Sequence, residues 1–468
     1  MLPPDPITTI SVSPATSTFS MESDKSRRMS GSDYDLITED AMVYFNIYVD
    51  SVPETMASPS FHEDVYNYVD EAIIKLYAST FDKDIDTILR HIVADVGDRF
   101  FETVVPRRAY AETGWYERQP DVEILSKKID LITSRPQPDQ RTGEWYRFRH
   151  SVLTASNAWK AFSTKGAVNQ LIYEKCKPLF VPGADDAGDG RQRVAINSPM
   201  HWGQKYEPLS TMLYESWYGT TVGEFGCVPH ATISHLAASP DGINVDKTSS
   251  LYGRMLEIKN IVNRDITGNP KFDYWIQMQL QMEVCDLNDC DFFETRFKEY
   301  ENAAEYEADT NGAFNRTKTG TQKGIALYFD DGNGFPVYCF APIVCTAKEL
   351  IEWEKKTLEE HKELTWIRNL YWRLDEYSCV LVMRNTRWFE HAEEVLADIW
   401  KVIQHERVDG YEHRAPKRRS VPKPPAPSES VCGVLKQWEY DISGVAVKNP
   451  RPIVSGDPVC LIDISGLE

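Results

Sequence analysis

The feature that most constrains this chain is a turn followed by a strand, which together bring acidic and basic side chains to one place. Asp241 lies in a Ser-Pro-Asp-Gly turn, and the run Glu257-Ile258-Lys259 is predicted to form part of a strand. Because side chains alternate along a strand, Glu257 and Lys259 are expected on one face while Ile258 points into the core. Two carboxylates and an ammonium group should therefore converge, and Glu207 would supply a third carboxylate.

Neighbouring carboxylates repel each other, so a cluster of this kind favours a bound cation. Hard cations such as Mg²⁺ and Mn²⁺ take carboxylate oxygens, backbone carbonyls and water as ligands. They lower the pKa of bound water and stabilise charge at a phosphate, while a nearby lysine can orient or deprotonate that water. The ordinary alternative is a solvent-exposed strand, since Glu-x-Lys is a common pattern there.

Apolar periodicity around these motifs predicts a mixed α/β core over residues 141–405. The predicted helices cover residues 199–218, 271–284, 346–370 and 388–403. The predicted strands cover residues 221–228, 233–238, 242–246, 253–259, 291–297, 324–329, 336–341 and 378–384. Residues 300–322 are polar and are predicted to be an insertion.

The segments that flank this core differ from it in composition. Residues 1–35 are rich in Ser, Thr, Pro and Met and are predicted to be a disordered leader. Residues 36–140 are acidic and show helical spacing of apolar residues, which predicts a helical accessory region. Residues 406–468 form a basic and Pro-rich tail, predicted to be flexible. The basic cluster at residues 414–419 is either a solvated linker or a nuclear-import signal.

Charge and cysteine content exclude several classes of protein. The formal net charge is −20, from 51 basic and 71 acidic residues, which argues against a chain coated in nucleic acid. Residues 141–165 nevertheless hold five basic residues and one acidic residue, so a local basic site is possible. The nine cysteines include no CxxC pair, so buried reduced thiols are expected rather than zinc ligands or disulfides. No membrane-length apolar run and no secretory signal are found, which predicts an intracellular protein without membrane contact.

Five short motifs follow one another in a fixed order through the core. They occupy residues 145–156, 202–207, 239–242, 256–259 and 274–281. This series resembles phage lambda exonuclease and the YqaJ-type viral recombinases, a branch of the PD-(D/E)XK nuclease superfamily. The resemblance covers roughly a third of the chain, and five motifs in one order are far more specific than any single one.

The resemblance implies a fold and a set of metal ligands. The implied fold is a restriction-endonuclease-like α/β core, with a central mixed β-sheet flanked by helices, to which this chain adds an N-terminal helical extension. The implied Mg²⁺ ligands, with Mn²⁺ as a substitute, are Asp241, Glu257 and the backbone carbonyl of Ile258. Lys259 would be the catalytic lysine, and Glu207 would complete the acidic site and bind a second metal ion or its water shell.

The resemblance also implies roles for several polar residues. Arg149 and Ser156 would grip the 5′-terminal phosphate of DNA, and Ser239 would add a phosphate contact, although Ser239 could equally stabilise its own turn. Gln277 would lie beside the site and position water or phosphate. It belongs to a helix with two further glutamines, whose roles stay open, and all three could be an ordinary polar set.

These residues predict a Mg²⁺-dependent deoxyribonuclease that resects linear double-stranded DNA from its 5′ ends. The resulting 3′ overhang would serve a single-strand annealing protein in recombination or repair. One alternative is a structure-specific or flap endonuclease on the same core, and another is a non-catalytic DNA-binding or virion protein. The family's trimeric ring is implied as well, but the leader and the tail could block or replace that interface.

Overall fold

The computed structural model describes most of the chain. The described residues are 28–81, 85–111, 119–140, 142–179, 198–310, 312–332 and 335–416, with the backbone of 439–440 and 446–447. Met1–Ala415 form one compact unit and Pro416–Glu468 form a second. In the second unit the described residues are two short strands that pair antiparallel. The predicted flexible tail is wrong at its start, because residues 406–416 are described and 406–409 belong to a helix. The other residues of the tail and residues 1–27 of the predicted leader lie outside the described residues.

The predicted N-terminal helical extension is confirmed. Its helices are α1 (Gly31–Ser51), α2 (Phe61–Tyr77), α3 (Ile85–Thr103) and α4 (Val122–Ser134). Helix α1 begins within the predicted leader, because Ser30 caps it by accepting the backbone N–H of Asp33. The apolar spacing buries one face of each of the next two helices, as at Val65, Val69 and Ile73 in α2.

The rest of the chain alternates between helices and strands. The remaining helices are α5 (Gly143–Ser151), α6 (Ala155–Ala158), α7 (Lys165–Cys176), α8 (Pro199–Tyr218), α9 (Phe272–Cys285), α10 (Ala303–Ala308), α11 (Ala347–Glu360) and α12 (Thr386–Asp409). The strands are β1 (Leu153–Thr154), β2 (Val222–Gly223), β3 (Val228–Pro229), β4 (Leu236–Ala238), β5 (Gly242–Asn244), β6 (Met255–Asn260), β7 (Asp289–Tyr300), β8 (Lys323–Asp330), β9 (Pro336–Phe340), β10 (Thr365–Met383), β11 (Glu439–Tyr440) and β12 (Ala446–Val447).

A mixed sheet with flanking helices forms the centre of the fold, as predicted. Within the described residues, seven strands are ordered β2-β5-β6-β7-β10-β8-β9. Strands β6 and β7 are parallel and are connected by α9, while the other neighbours in this sheet are antiparallel. A smaller sheet has the order β1-β4-β3. The two faces of β6 differ: Leu256 and Ile258 pack with Tyr214 of α8, whereas Glu257 bonds to Gln281 of α9.

Three predicted elements are corrected by the structure. The helix predicted over 346–370 ends at Glu360, and the strand predicted over 378–384 is a long strand that begins at Thr365. Charged residues continue the helical pattern beyond α11, but β10 pairs first with β8 and then with β7, which satisfies its backbone groups. The strand predicted over 221–228 divides into β2 and β3, which belong to different sheets.

The cysteine prediction holds for most of the described thiols. Seven cysteines are described, and those at 176, 227, 285, 290 and 379 are buried. Cys339 and Cys345 are only partly buried, and Cys432 and Cys460 lie outside the described residues. No helix in the described part of the chain combines the length and apolarity needed to span a membrane.

Arg108 connects the helical extension to the core. Its side chain is 2% exposed, and its guanidinium donates to the carbonyls of Ala57 at 2.6 Å, Met56 at 3.3 Å and Pro270 at 2.5 Å. The guanidinium also lies 5.2 Å from the ring centre of Trp275. Burial lowers the pKa of Arg108 to about 9, so the side chain stays charged at neutral pH. One buried cation therefore joins the segment after α1 to the start of α9.

Replacing Arg108 with Met is expected to lower the free energy of unfolding by about 3 kcal/mol, because buried carbonyl groups lose their donors. Urea unfolding followed by circular dichroism measures the change. The matched control is Arg90→Met in α3, where an exposed ion pair to Asp70 should contribute less than about 1 kcal/mol. Equal urea midpoints of unfolding for Arg108→Met and Arg90→Met would contradict the structural role of Arg108.

Candidate active site

The centre of the site is the end of β6. Glu257 is fully buried, and the ammonium group of Lys259 contacts its carboxylate on the same face of the strand. Lys259 Nζ also lies 5.1 Å from the ring centre of Tyr274 on α9. Ile258 is buried on the opposite face, beside Phe293. The predicted alternation along this strand is therefore confirmed.

Asp241 joins this strand from the turn between β4 and β5. Its Oδ2 accepts the backbone N–H of Ile258 at 2.8 Å, which fixes the carboxylate against β6. The residue after Asp241 is Gly242, because a Cβ at this position would lie 2.1 Å from Cγ1 of Val222. The turn can therefore approach β2 closely and still present Asp241 to the neighbouring strand.

Helix α9 supplies a glutamine that sequence reasoning left open. Gln281 Nε2 donates to Glu257 Oε2 at 2.7 Å and to the carbonyl of Ser239 at 3.3 Å. Gln279 instead accepts from the backbone of Asn385. Gln277 is half-buried one turn before Gln281, on the same helix face. Asp241 and Glu257 are called the acidic cluster below. Among the described residues, Gln281 rather than Gln277 contacts this cluster, and the predicted role of Gln277 stays a prediction.

Helix α8 is fixed against β6 by Asn260. The side chain of Asn260 donates to the carbonyl of Gly203 at 2.8 Å and accepts from Ser210 at 2.7 Å. These bonds place Glu207 near Asp241, close enough for its charge to raise the pKa of that carboxyl. In the described ranges, however, no three His, Cys, Asp or Glu residues are grouped closely enough to hold a metal ion. Glu207 is therefore a neighbour of the Asp241–Glu257 pair rather than part of a preformed ligand set.

The electrostatics of the site favour a cation. Burial raises the pKa of Asp241 well above its usual range, and the charges of Glu257 and Glu207 raise it further, against the lowering effect of Lys259. Burial alone would lower the pKa of Lys259, but the two adjacent carboxylates raise it. A divalent ion would supply the positive charge that this cluster lacks.

The donor set also fits Mg²⁺ or Mn²⁺. The predicted ligands Asp241, Glu257 and the Ile258 carbonyl are all hard oxygen donors. Beside them, the Oε1 atom of Gln281 is buried and has no hydrogen-bond partner among the described residues. An amide oxygen next to two carboxylates is suited to contact a bound ion or its water.

A cavity of about 520 Å³ opens above these residues. Glu207, Asp241, Lys259 and Tyr274 line it, together with Arg264 from the loop after β6. The guanidinium of Arg264 lies 5.4 Å from the ring centre of Tyr274. Sequence reasoning missed this arginine, because a single cation in a loop carries no periodic signal.

The three residues predicted to bind phosphate lie together. Arg149 on α5 donates to Ser156 Oγ at 2.8 Å and to Ser239 Oγ at 3.4 Å. Its guanidinium lies 4.3 Å from the ring centre of Trp145, and Lys175 Nζ donates to its backbone carbonyl at 2.5 Å. A planar cation with two hydroxyl groups is a suitable partner for a phosphate. Residues 145, 149, 156 and 239 are called the phosphate cluster below.

The phosphate cluster and the acidic cluster are neighbours. Ser239 belongs to the first and Asp241 to the second, with one residue between them. Gln281 bonds to both, through the carbonyl of Ser239 and the carboxylate of Glu257. Residues 144–288 match the YqaJ-like viral recombinase domain.

The YqaJ-like domain match covers both clusters in one segment. It spans the chain from α5 to the end of α9 and includes Arg149, Glu207, Asp241, Lys259 and Gln281. This match confirms the resemblance inferred from the five motifs. The strands β7 to β10 and the helical extension lie outside the matched YqaJ-like segment.

Other proteins are similar to larger parts of the chain. An uncharacterized protein of Acanthamoeba polyphaga mimivirus is 27% identical over 331 residues, which are 64% of this chain and 57% of that protein. The match thus spans little more than half the length of that relative. The crystal structure of an alkaline exonuclease from Laribacter hongkongensis is 18% identical, with a TM-score of 0.32, and covers 57% of this chain and 94% of its own. The complex of that enzyme with dAMP gives 19% identity and the same TM-score.

Proposed function

We propose that this protein is a Mg²⁺-dependent deoxyribonuclease that degrades linear double-stranded DNA from its 5′ ends. The observation that carries the proposal is the junction of the two clusters at Ser239, Asp241 and Gln281. A terminal phosphate held by Arg149 would bring the adjoining nucleotide to the carboxylates and Lys259. This arrangement supports an exonuclease, because a cluster reserved for a terminal phosphate has little use in cutting within a strand.

Each group has a distinct part in the reaction. Asp241, Glu257 and the Ile258 carbonyl would hold Mg²⁺, which when bound lowers the pKa of water and offsets charge at the phosphate. The ammonium group of Lys259 would leave Glu257, orient the attacking water and stabilise the charge that develops on the phosphate. Gln281 holds Glu257 in place by a hydrogen bond, and Asp241 is fixed by the Ile258 N–H.

The phosphate cluster would determine where cleavage occurs. Contacts to phosphate fix the register of DNA without reading its bases, as a sequence-independent resecting enzyme requires. Hydrolysis at successive nucleotides would leave a 5′-phosphate on each product and expose a 3′ single strand. Such a strand is the substrate of a single-strand annealing protein, so recombination or repair is the process we propose.

The test is digestion of linear duplex DNA that carries a label at either the 5′ or the 3′ end. With Mg²⁺ or Mn²⁺, the 5′ label should be released first, and a 5′-phosphate should increase the rate. Cleavage of closed circular DNA would instead support the endonuclease alternative. DNA binding without cleavage under either metal would refute the proposal in favour of the non-catalytic alternative.

Gln281→Leu is expected to lower the cleavage rate about tenfold and to raise the Mg²⁺ concentration needed for half-maximal rate. The reason is that the residue orients Glu257, and loss of such a supporting contact typically weakens metal binding by ten- to a hundredfold. Mg²⁺ titration of the initial cleavage rate measures both effects. The matched variant is Gln277→Leu, one helical turn away, whose cleavage rate should fall less than that of Gln281→Leu. A larger loss in Gln277→Leu would restore Gln277 as the supporting glutamine.

A further inference from the structure

A second cavity adjoins the active-site cavity. It has a volume of about 370 Å³, within the range of small-molecule binding sites. Pro199, Val262 and Asn263 line both cavities, so the two are continuous along the start of α8 and the loop after β6. A DNA strand in the active site would therefore have a neighbouring nucleotide within reach of this second cavity.

An aromatic platform crosses the sheet on one side of this cavity. Tyr328 on β8 pairs directly with Tyr338 on β9 and with Arg368 on β10, so the three residues form a row across neighbouring strands. The two tyrosine rings are stacked, with centres 5.1 Å apart and planes 28° apart. Tyr338 is fixed further by His201, whose Nε2 lies 2.9 Å from the tyrosine hydroxyl. The platform is half-buried and held in place before any ligand binds.

Another wall of the cavity carries a hydrogen-bond acceptor. Glu299 Oε1 accepts from Lys205 at 2.5 Å and from the hydroxyl of Tyr206 at 2.7 Å, while its side chain remains 25% exposed. Lys205 also lines the cavity, so its ion pair with Glu299 lies at this wall. Glu299 is thus a fixed and partly exposed acceptor for a ligand in the cavity.

We propose that this second cavity binds an unpaired nucleobase of the DNA strand that occupies the active site. A base has a flat face that can stack on Tyr328 and an edge with hydrogen-bond donors that suits Glu299. Arg368 is exposed at the edge of the cavity and can meet the phosphate that follows the base.

This inference shares one assumption with the proposed function, namely that the protein binds DNA. It can be tested separately from cleavage. The wild-type protein is mixed in EDTA, without divalent metal, with a short single strand that contains 2-aminopurine, a base whose fluorescence is quenched by stacking. Tyr328→Leu should relieve the quenching and weaken binding about tenfold, while Tyr328→Phe, which keeps the ring, should retain both. Arg368→Gln should make the salt dependence of binding weaker. The slope of the logarithm of the association constant against the logarithm of the salt concentration should become shallower by about 0.7.

The controls separate this site from general effects on DNA binding. Tyr34→Leu and Arg90→Gln change an exposed tyrosine and an exposed arginine of the helical extension, and they should alter neither quenching nor affinity. Blunt duplex binding should change less than about twofold in Tyr328→Leu, since paired bases cannot enter the cavity. Equal losses for single strands and duplex, or unchanged quenching in Tyr328→Leu, would overturn the inference. Because no metal is present, neither result depends on whether the protein cleaves DNA.

Discussion

Replacing Lys259 with Met should lower the rate of Mg²⁺-dependent cleavage of linear duplex DNA by about a thousandfold. The ammonium group of Lys259 lies among the carboxylates of Glu257 and Asp241, where it can orient water and offset charge on the phosphate. Effects of this kind contribute between about a hundredfold and ten-thousandfold in other enzymes. Initial rates on end-labelled duplex measure the loss, and DNA affinity in EDTA should stay within about threefold of wild type.

The control for this variant is Lys298→Met on β7, which removes an exposed lysine that pairs with Asp375. It should leave the cleavage rate unchanged. A rate loss of less than about tenfold in Lys259→Met would show that Lys259 is not the catalytic lysine. A loss that is accompanied by a lower urea midpoint would indicate instead that the ion pair with Glu257 supports the fold.

Arg149→Gln should abolish the preference for a 5′-phosphate. Its guanidinium lies between Ser156 and Ser239, so a terminal phosphate would receive charge-assisted hydrogen bonds from it, which are typically the strongest in proteins. At about 1.5–3 kcal/mol, their loss corresponds to a rate on phosphorylated duplex that is roughly ten- to a hundredfold lower. Paired digests of duplexes with and without a 5′-phosphate measure the ratio of the two rates, which should fall toward one.

Arg147→Gln is the matched control, because Arg147 belongs to the same helix α5 but is exposed. It should keep the wild-type preference for phosphorylated ends. If Arg149→Gln lowered the rates on both duplexes by the same factor, Arg149 would serve the fold or general DNA binding rather than end recognition. If Arg149→Gln kept the wild-type preference for phosphorylated ends, the terminal phosphate would bind at a site other than Arg149.

The sequence predicts the parts of this site that depend on local geometry. Glu257, Ile258 and Lys259 follow the alternation of a strand, and that pattern alone places two of them on one face. Helix α8 was predicted with its observed bounds, because Pro199 starts it and Gly219, with a left-handed φ of 58°, ends it. In each case the information lies within a few consecutive residues.

Other features depend on how distant elements meet. Gln277 and Gln281 share a helix face, and only the position of α9 along β6 decides which of them reaches Glu257. The first half of β10 is a strand because β8 lies beside it, and local propensity says little about that pairing. Arg108 and Arg264 lie in loops and contact residues of other elements, Arg108 at Pro270 and Arg264 at Glu294.

The contacts of Arg108 bear on how this gene could be shortened. The guanidinium that bonds to residues 56 and 57 also bonds to Pro270, just before the helix that carries Tyr274 and Gln281. A gene product that starts at residue 120 would lack the arginine and both of its N-terminal partners, and the start of that helix would lose an anchor. Lost nuclease activity in such a truncated protein would therefore be no evidence that the N-terminal helices regulate the enzyme. In evolution, too, the helical extension and the α/β core should be inherited as one unit.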